Sequence, residues 1–239
     1  MRILVLQLAR FGDIYQSWPT LHALQRRYPE SELHVLVRSR FRDALNDFPG
    51  ITIHALPTAE ILTPILAGGT EDEANQRLLA FLEPLRGLQF DLIVNLSFSP
   101  MSSYLADLLA PANCSIRGYC RMSDGHLRLP DDASAYFYAQ VGIGRWNRYH
   151  ITDIFAAVAG VELKDEDFAW APPQSSGPRR GVLVHLGAST LEKTYAPELW
   201  VQALCSLVKA TTETVTLIGS PSEVALSETV ARQVADPRL

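Results

Sequence analysis

The turn Ala9-Arg10-Phe11-Gly12-Asp13 follows a short apolar run and opens a helical pattern. Ligands of open parallel sheets bind beyond the carboxyl ends of the strands, so side chains in such a turn face substrate. Asp13 offers a carboxylate there, and a carboxylate within reach of a hydroxyl can take its proton as a general base. Gly12 lets the backbone pass close to a ligand or adopt a positive φ. The plainer reading makes Asp13 a helix-start residue that stabilises the N-terminal dipole, and spacing alone leans that way. The turn lacks G-x-G-x-x-G, which argues against a nicotinamide-dependent dehydrogenase.

A second candidate is His185-Leu186-Gly187-Ala188-Ser189-Thr190-Leu191-Glu192-Lys193, again after a strand-like run. Small and hydroxylated residues at a strand end suit close approach of a phosphate. Lys193 adds a compact positive charge for a diphosphate and for a departing nucleotide diphosphate. Against this stands an ordinary polar loop with a solvated lysine. The segment is not a Walker A motif. In Gly219-Ser220-Pro221-Ser222-Glu223, Glu223 has the chemistry to accept hydrogen bonds from a ribose diol. The spacing Ser220-x-x-Glu223 also fits a helix capping box, and the pattern does not separate the two.

Arginines recur in a fourth region, at Arg117, Arg121, Arg128, Arg145 and Arg148, interleaved with Tyr119, His126, Tyr136, Tyr138 and Trp146. A basic loop facing an interdomain cleft would hold an anionic acceptor bearing carboxylates or phosphates. Arg38, Arg40 and Arg42 raise the same expectation. Most charge-rich loops are simply solvated. The six histidines show no metal-ligand spacing, and no G-x-S-x-G nucleophile elbow is present.

These residues need strands and helices to position them. Ile3–Leu8, Leu33–Val37, Ile51–Ala55, Phe90–Leu96 and Ser115–Tyr119 read as strands. Ser17–Tyr28, Phe41–Phe48, Glu71–Leu88, Ser102–Leu109 and Tyr149–Ala159 read as helices, with Pro84 expected to kink or shorten the third. Arg121–Arg148 reads as less regular. Alternating strands and helices predict a mostly parallel sheet covered on both faces. The Pro-, Ser- and Gly-rich stretch at 171–178 reads as a linker between a domain at 1–170 and a second at 179–239. The second carries only two strand–helix units: strands Gly181–Leu186 and Val215–Ile218, helices Glu198–Lys209 and Ser222–Val234. It therefore reads as incomplete, with the natural protein expected to continue.

Hydrophobic residues are 47% and charged residues 20% of the 239, the balance of a globular chain. A formal net charge of −5 argues against a general nucleic-acid binder. Cys114, Cys120 and Cys205 are odd in number and fit no zinc pattern, so reduced thiols are expected. No segment approaches the roughly 20 apolar residues that span a bilayer. A cytoplasmic protein is expected, with surface contact at the inner face of the membrane left open.

Taken in order, the motifs resemble glycosyltransferase family 9, the family of the bacterial lipopolysaccharide heptosyltransferases. The likeness runs through Ile3-Leu4-Val5-Leu6, Phe11-Gly12-Asp13-Ile14, Trp18-Pro19-Thr20-Leu21 and Arg26-Arg27-Tyr28-Pro29. It continues in Leu33-His34-Val35-Leu36-Val37, Phe90-Asp91-Leu92-Ile93-Val94-Asn95-Leu96 and Arg117-Gly118-Tyr119. Gly187-Ala188-Ser189 with Lys193 and Trp200, and Gly219-Ser220-Pro221-Ser222-Glu223, resemble the family's donor-domain signatures. The resemblance implies a GT-B fold of two Rossmann-like domains, α/β in class, and an inverting transfer with no cofactor and no essential metal. It implies Asp13 as general base, with Arg10, Gly12, Arg117 and Arg121 on the acceptor side. Gly187, Ser189, Thr190, Lys193 and Glu223 fall on the donor side. The implied donor is a nucleotide sugar, ADP-heptose, and the implied acceptor is the lipopolysaccharide core or another cell-surface glycan. A different sugar nucleotide, or a non-catalytic glycan- or nucleotide-binding relative, is the alternative.

The sequence departs from the family in three places. Tyr195 takes the place of a tryptophan after the lysine, and Pro197 falls one residue late. Ala9-Arg10 stands where small hydroxyl residues are usual. No Asp-x-Gly followed by histidine occurs before Leu239, so the 239 residues alone are expected to transfer little or no sugar.

Overall fold

A computed structural model describes residues 1–143, 147–169, 181–188 and 190–239. The chain forms two compact units, Met1–Ala171 and Pro172–Leu239. The stretch read as a linker lies outside the described residues.

In the first unit, β1 (Arg2–Leu6), β2 (Glu32–Arg38), β3 (Ile51–Leu56), β4 (Leu92–Asn95) and β5 (Ser115–Gly118) form one parallel sheet in the order β3-β2-β1-β4-β5. Successive strand side chains point to opposite faces, so a continuous apolar run can feed two cores. Ile3, Val5, Val35, Val37 and Val94 enter one core, packed by α1 (Phe11–Arg27), α5 (Asp132–Ile143) and α6 (Ile151–Ala159). Leu4, Leu6, Leu36 and Ile93 enter the other, packed by α2 (Thr58–Leu66), α3 (Glu71–Gly87) and α4 (Pro100–Leu109). A small antiparallel pair, β6 (Cys120–Arg121) and β7 (Leu127–Arg128), follows β5.

Several elements differ from expectation. The first helix starts at Phe11, not Ser17, and runs through Pro19, which is buried. Gly12 is therefore a helical residue without a positive φ, and a side chain there would meet nothing within 4 Å. The third helix runs through Pro84 to Gly87. Residues 39–45 form a short 3-10 segment in place of a helix over Phe41–Phe48. α2 was not among the expected elements and carries Pro64 inside it. α5 and the β6–β7 pair order much of the region read as irregular.

A 3-10 segment at Asp165–Phe168 docks on α1 through Arg26, whose Nη2 lies 2.7 Å from the buried carboxylate of Asp167. Burial pushes that carboxyl up, but Arg26 and the backbone N–H of Lys164 outweigh it and hold it below its ordinary value.

His34 on β2 and His54 on β3 stack with Nδ1 and Nε2 3.0 Å apart. Burial lowers the proton affinity of both. The unfolded chain then takes up protons first as pH falls through the ordinary histidine value near 6.5. Stability supplied by the neutral pair is present above that value and is lost below it. We expect the melting temperature to fall between pH 7.5 and pH 5.5, and the fall to shrink in a His34→Gln/His54→Gln double variant followed by circular dichroism.

The second unit holds two parallel strands, β8 (Val182–His185) and β9 (Val215–Ile218), with α7 (Pro197–Ala210) and α8 (Val224–Val234). Leu186, Leu204, Val208, Val215 and Val230 form its core. Leu183 is 69% exposed, so its face of this small sheet is open among the described residues.

Candidate functional site

In the first unit the chain leaves β1 toward β2 on one side, while β4 lies on the other. Such a reversal opens a crevice beyond the strand ends. A crevice of about 230 Å³ is found there, lined by Leu8, Ala9, Arg38, Ser97, Phe98, Ser99 and Met101. α4 begins at its edge because Ser99 and Pro100 form a strong start signal. The Ser99 hydroxyl accepts from the Ser102 N–H at 3.1 Å, and proline occupies the first helical position.

A polar knot fixes the carboxyl ends of β1, β4 and β5. Asn95 donates to Ser102 Oγ at 3.1 Å and to the Tyr119 carbonyl at 2.9 Å, and its Oδ1 accepts from the Ser97 N–H at 3.0 Å. Ser97 Oγ accepts from the Leu8 N–H at 2.5 Å. Asn95 is 1% exposed and Ser97 3%, so these groups would be costly if unpaired. Gly118 closes the knot at φ +83, where a Cβ would run into the Asn95 carbonyl.

Asp13 sits in the first turn of α1, partly buried. Its Oδ2 accepts from the Arg10 N–H at 3.0 Å. The helix-start role is thus realised, and Oδ1 has no hydrogen-bond partner among the described residues. Arg10 is exposed beside it. Arg38 reaches across to donate to the Ala9 carbonyl at 3.2 Å. Arg38 and Arg40 both lie over the ring of Phe41, at 4.9 Å and 5.6 Å, while Arg42 is exposed.

The other arginines divide. Arg117 donates to the Ala159 carbonyl at the end of α6, beside Gly160 at φ +64, where a Cβ would overlap the guanidinium. That end-capping bond gives Arg117 a structural task. Arg121 is stretched over Tyr104 at 4.1 Å, with bonds to Ser103 Oγ at 2.9 Å and the Gly125 carbonyl at 3.1 Å. It lines a second pocket of about 270 Å³ with Phe98, Ser99, Pro100, Tyr119, Leu127 and Tyr138. Tyr119 is 3% exposed and its hydroxyl has no partner among the described residues. Phe98 and Ser99 line both pockets. Arg128, His126 and Arg148 are exposed, and Arg145 and Trp146 lie outside the described residues.

In the second unit the two candidate loops meet. The Glu223 carboxylate accepts from the Ser220 N–H at 2.5 Å and stands 3.7 Å from His185 Nε2. Those contacts, the Ser220 bond foremost, hold its acidity above the ordinary value. A Cβ at Gly187 would overlap Glu223, and one at Gly219 would lie 2.7 Å from Oε2. The space beside Gly187 is occupied by the Glu223 carboxylate. Thr190 and Lys193 are exposed, and Lys193 has no salt-bridge partner among the described residues. Ser189 lies outside the described residues. Pro197 starts α7, and Tyr195 packs edge-on against Trp200 at 5.3 Å.

No protein-family model matches the sequence, and no curated protein does. Solved structures do. The chain is similar to the Escherichia coli heptosyltransferase WaaC with ADP-2-deoxy-2-fluoro heptose, at 19% identity and TM-score 0.66, over 98% of this chain and 74% of that one. It is similar to glycosyl transferase family 9 from Veillonella parvula DSM 2008, at 15% identity and TM-score 0.62, over 97% and 66%. The E. coli ADP-heptose lps heptosyltransferase II gives 16% and 0.60, over 98% and 71%. The chain has the GT-B fold. In GT-B terms the crevice and Asp13 belong to the N-terminal Rossmann-like unit, and Lys193 and Glu223 to the C-terminal one. No helix among the described residues is long and apolar enough to cross a membrane.

The knot of Asn95, Ser97, Ser102 and Gly118 went unnoticed in the sequence as part of the site. Its signals were present: a polar residue inside the apolar run Phe90–Leu96, and Ser99-Pro100 as a helix start.

Proposed function

We propose that the chain is a glycosyltransferase that moves a sugar from a nucleotide diphosphate sugar to a glycan hydroxyl, with inversion and without an essential metal. The observation that carries this reading is the place of Asp13. A carboxylate with one oxygen tethered to the Arg10 N–H and the other unpartnered among the described residues lies at the first strand end of a GT-B unit. The tether fixes its direction, and the second oxygen takes the proton of the attacking hydroxyl. Arg10 and Arg121 face the acceptor. Lys193, with Ser189 and Thr190, meets the diphosphate and stabilises its departure. Glu223 meets the ribose. The likeness to WaaC with ADP-2-deoxy-2-fluoro heptose favours ADP-heptose as donor, and the likeness to the E. coli ADP-heptose lps heptosyltransferase II favours the lipopolysaccharide core as acceptor.

The test is a thermal-shift screen of ADP-, UDP- and GDP-sugars on the protein expressed from its complete reading frame. A ligand of the folded state raises its stability. One nucleotide series should give saturable stabilisation, and Lys193→Ala should weaken it by about 10–100-fold. Unchanged affinity in calorimetry would remove Lys193 from the donor site. A second reading, a non-catalytic glycan- or nucleotide-binding relative, draws on one feature: Asp13 and Glu223 both serve as helix-start acceptors. It predicts donor binding with no transfer.

A further inference from the structure

We infer that Arg10, Arg38 and Arg40 form a phosphate-binding subsite at the switch-point crevice, so that the acceptor carries a phosphate ester beside its attacking hydroxyl. The inference rests on the reading of the N-terminal unit as the acceptor side.

Three observations converge. Arg38 lines the crevice, half-buried, with its Nη2 tied to the Ala9 carbonyl. None of the three arginines has a carboxylate within salt-bridge distance among the described residues, although the chain carries 26 acidic residues against 21 basic ones. The cluster is also held in place. The Phe41 ring lies under Arg38 and Arg40, and Phe11 packs edge-on against that ring at 5.2 Å.

Like charges held close together repel one another, and the Asp13 carboxylate beside Arg10 bonds its backbone N–H, not a guanidinium. Burial first, then Arg10 and Arg40, lower the proton affinity of Arg38. An anion in the crevice removes that repulsion. Guanidinium groups match phosphate oxygens in pairs. Three monocations are balanced better by a phosphate dianion than by a single carboxylate. The N-terminus of α1 lies immediately beside Arg10 and adds its dipole.

Calorimetric titration of the protein, without any nucleotide sugar, tests this. The probes are inorganic phosphate, glucose 6-phosphate, glucuronate and glucose. Phosphate and glucose 6-phosphate should bind saturably and more weakly as salt rises, glucuronate less well, and glucose not at all. Arg38→Gln and Arg40→Gln should each weaken glucose 6-phosphate by about tenfold or more. Arg40 is exposed, so its replacement leaves the fold intact, which circular dichroism checks. Absence of phosphate binding overturns the inference, as does glucuronate binding as tightly as glucose 6-phosphate. If Lys193→Ala removes phosphate binding and the arginine variants do not, the anion belongs to the donor unit. The subsite is then wrong, while the glycosyltransferase reading stands.

Discussion

Asp13→Asn lowers sugar transfer by about 10²–10⁴-fold and leaves donor affinity unchanged. The asparagine is the informative replacement because Asp13 has two tasks. Its Oδ2 accepts from the Arg10 N–H and starts α1. An asparagine keeps that acceptor at little cost, since the two residues are near-equal helix-start partners. It removes only the negative charge that would receive a proton. Alanine would remove both and cost about 1 kcal/mol of stability as well, which blurs the outcome. If Asp13→Asn transfers at the wild-type rate with the wild-type melting temperature, the carboxylate is a helix start and nothing more.

Gly118→Ala destabilises the N-terminal unit by about 2–6 kcal/mol, the sum of a side chain forced to positive φ and an overpacked contact. The contact is with the Asn95 carbonyl, at the centre of the knot that ties β1, β4 and β5. A Cβ there cannot be relieved by turning a flexible side chain, because the opposing atoms are backbone. The melting temperature should drop by roughly 5–20 °C. Gly12→Ala, in open helical space, should leave it within about 2 °C, since surface changes away from special features are near neutral. Equal melting temperatures for both variants would mean that the knot does not hold the strand ends.

The fold was legible where apolar runs are continuous. Ile3–Leu6 and Leu33–Val37 feed two cores at once, and that doubling is what a buried parallel strand looks like in sequence. Boundaries were less legible: the first helix begins at Phe11, six residues before the expected Ser17, and α2 was not expected. Pro19, Pro64 and Pro84 all lie inside helices, each losing one backbone bond while the apolar packing of the helix holds it together. The site was half legible. Asp13 and Glu223 were visible as carboxylates at strand ends, but their spacing could not say whether each was a cap or a ligand contact. Both prove to make the cap. The bond of Arg117 to the end of α6 was not legible, because a basic residue in a strand carries no mark of the helix end it meets, 42 residues later in the chain. Gly187 was read as room for phosphate, and its spacing could not show that the Glu223 carboxylate of the neighbouring loop stands beside it.

Transfer itself is the most direct test. The protein expressed from its complete reading frame is incubated with the nucleotide sugar that stabilises it, with and without a lipopolysaccharide-core acceptor, and release of nucleoside diphosphate is followed. The expected result is release that depends on acceptor and collapses in Asp13→Asn. Release from none of the ADP-, UDP- or GDP-sugars, or acceptor-dependent release untouched by Asp13→Asn, would contradict it.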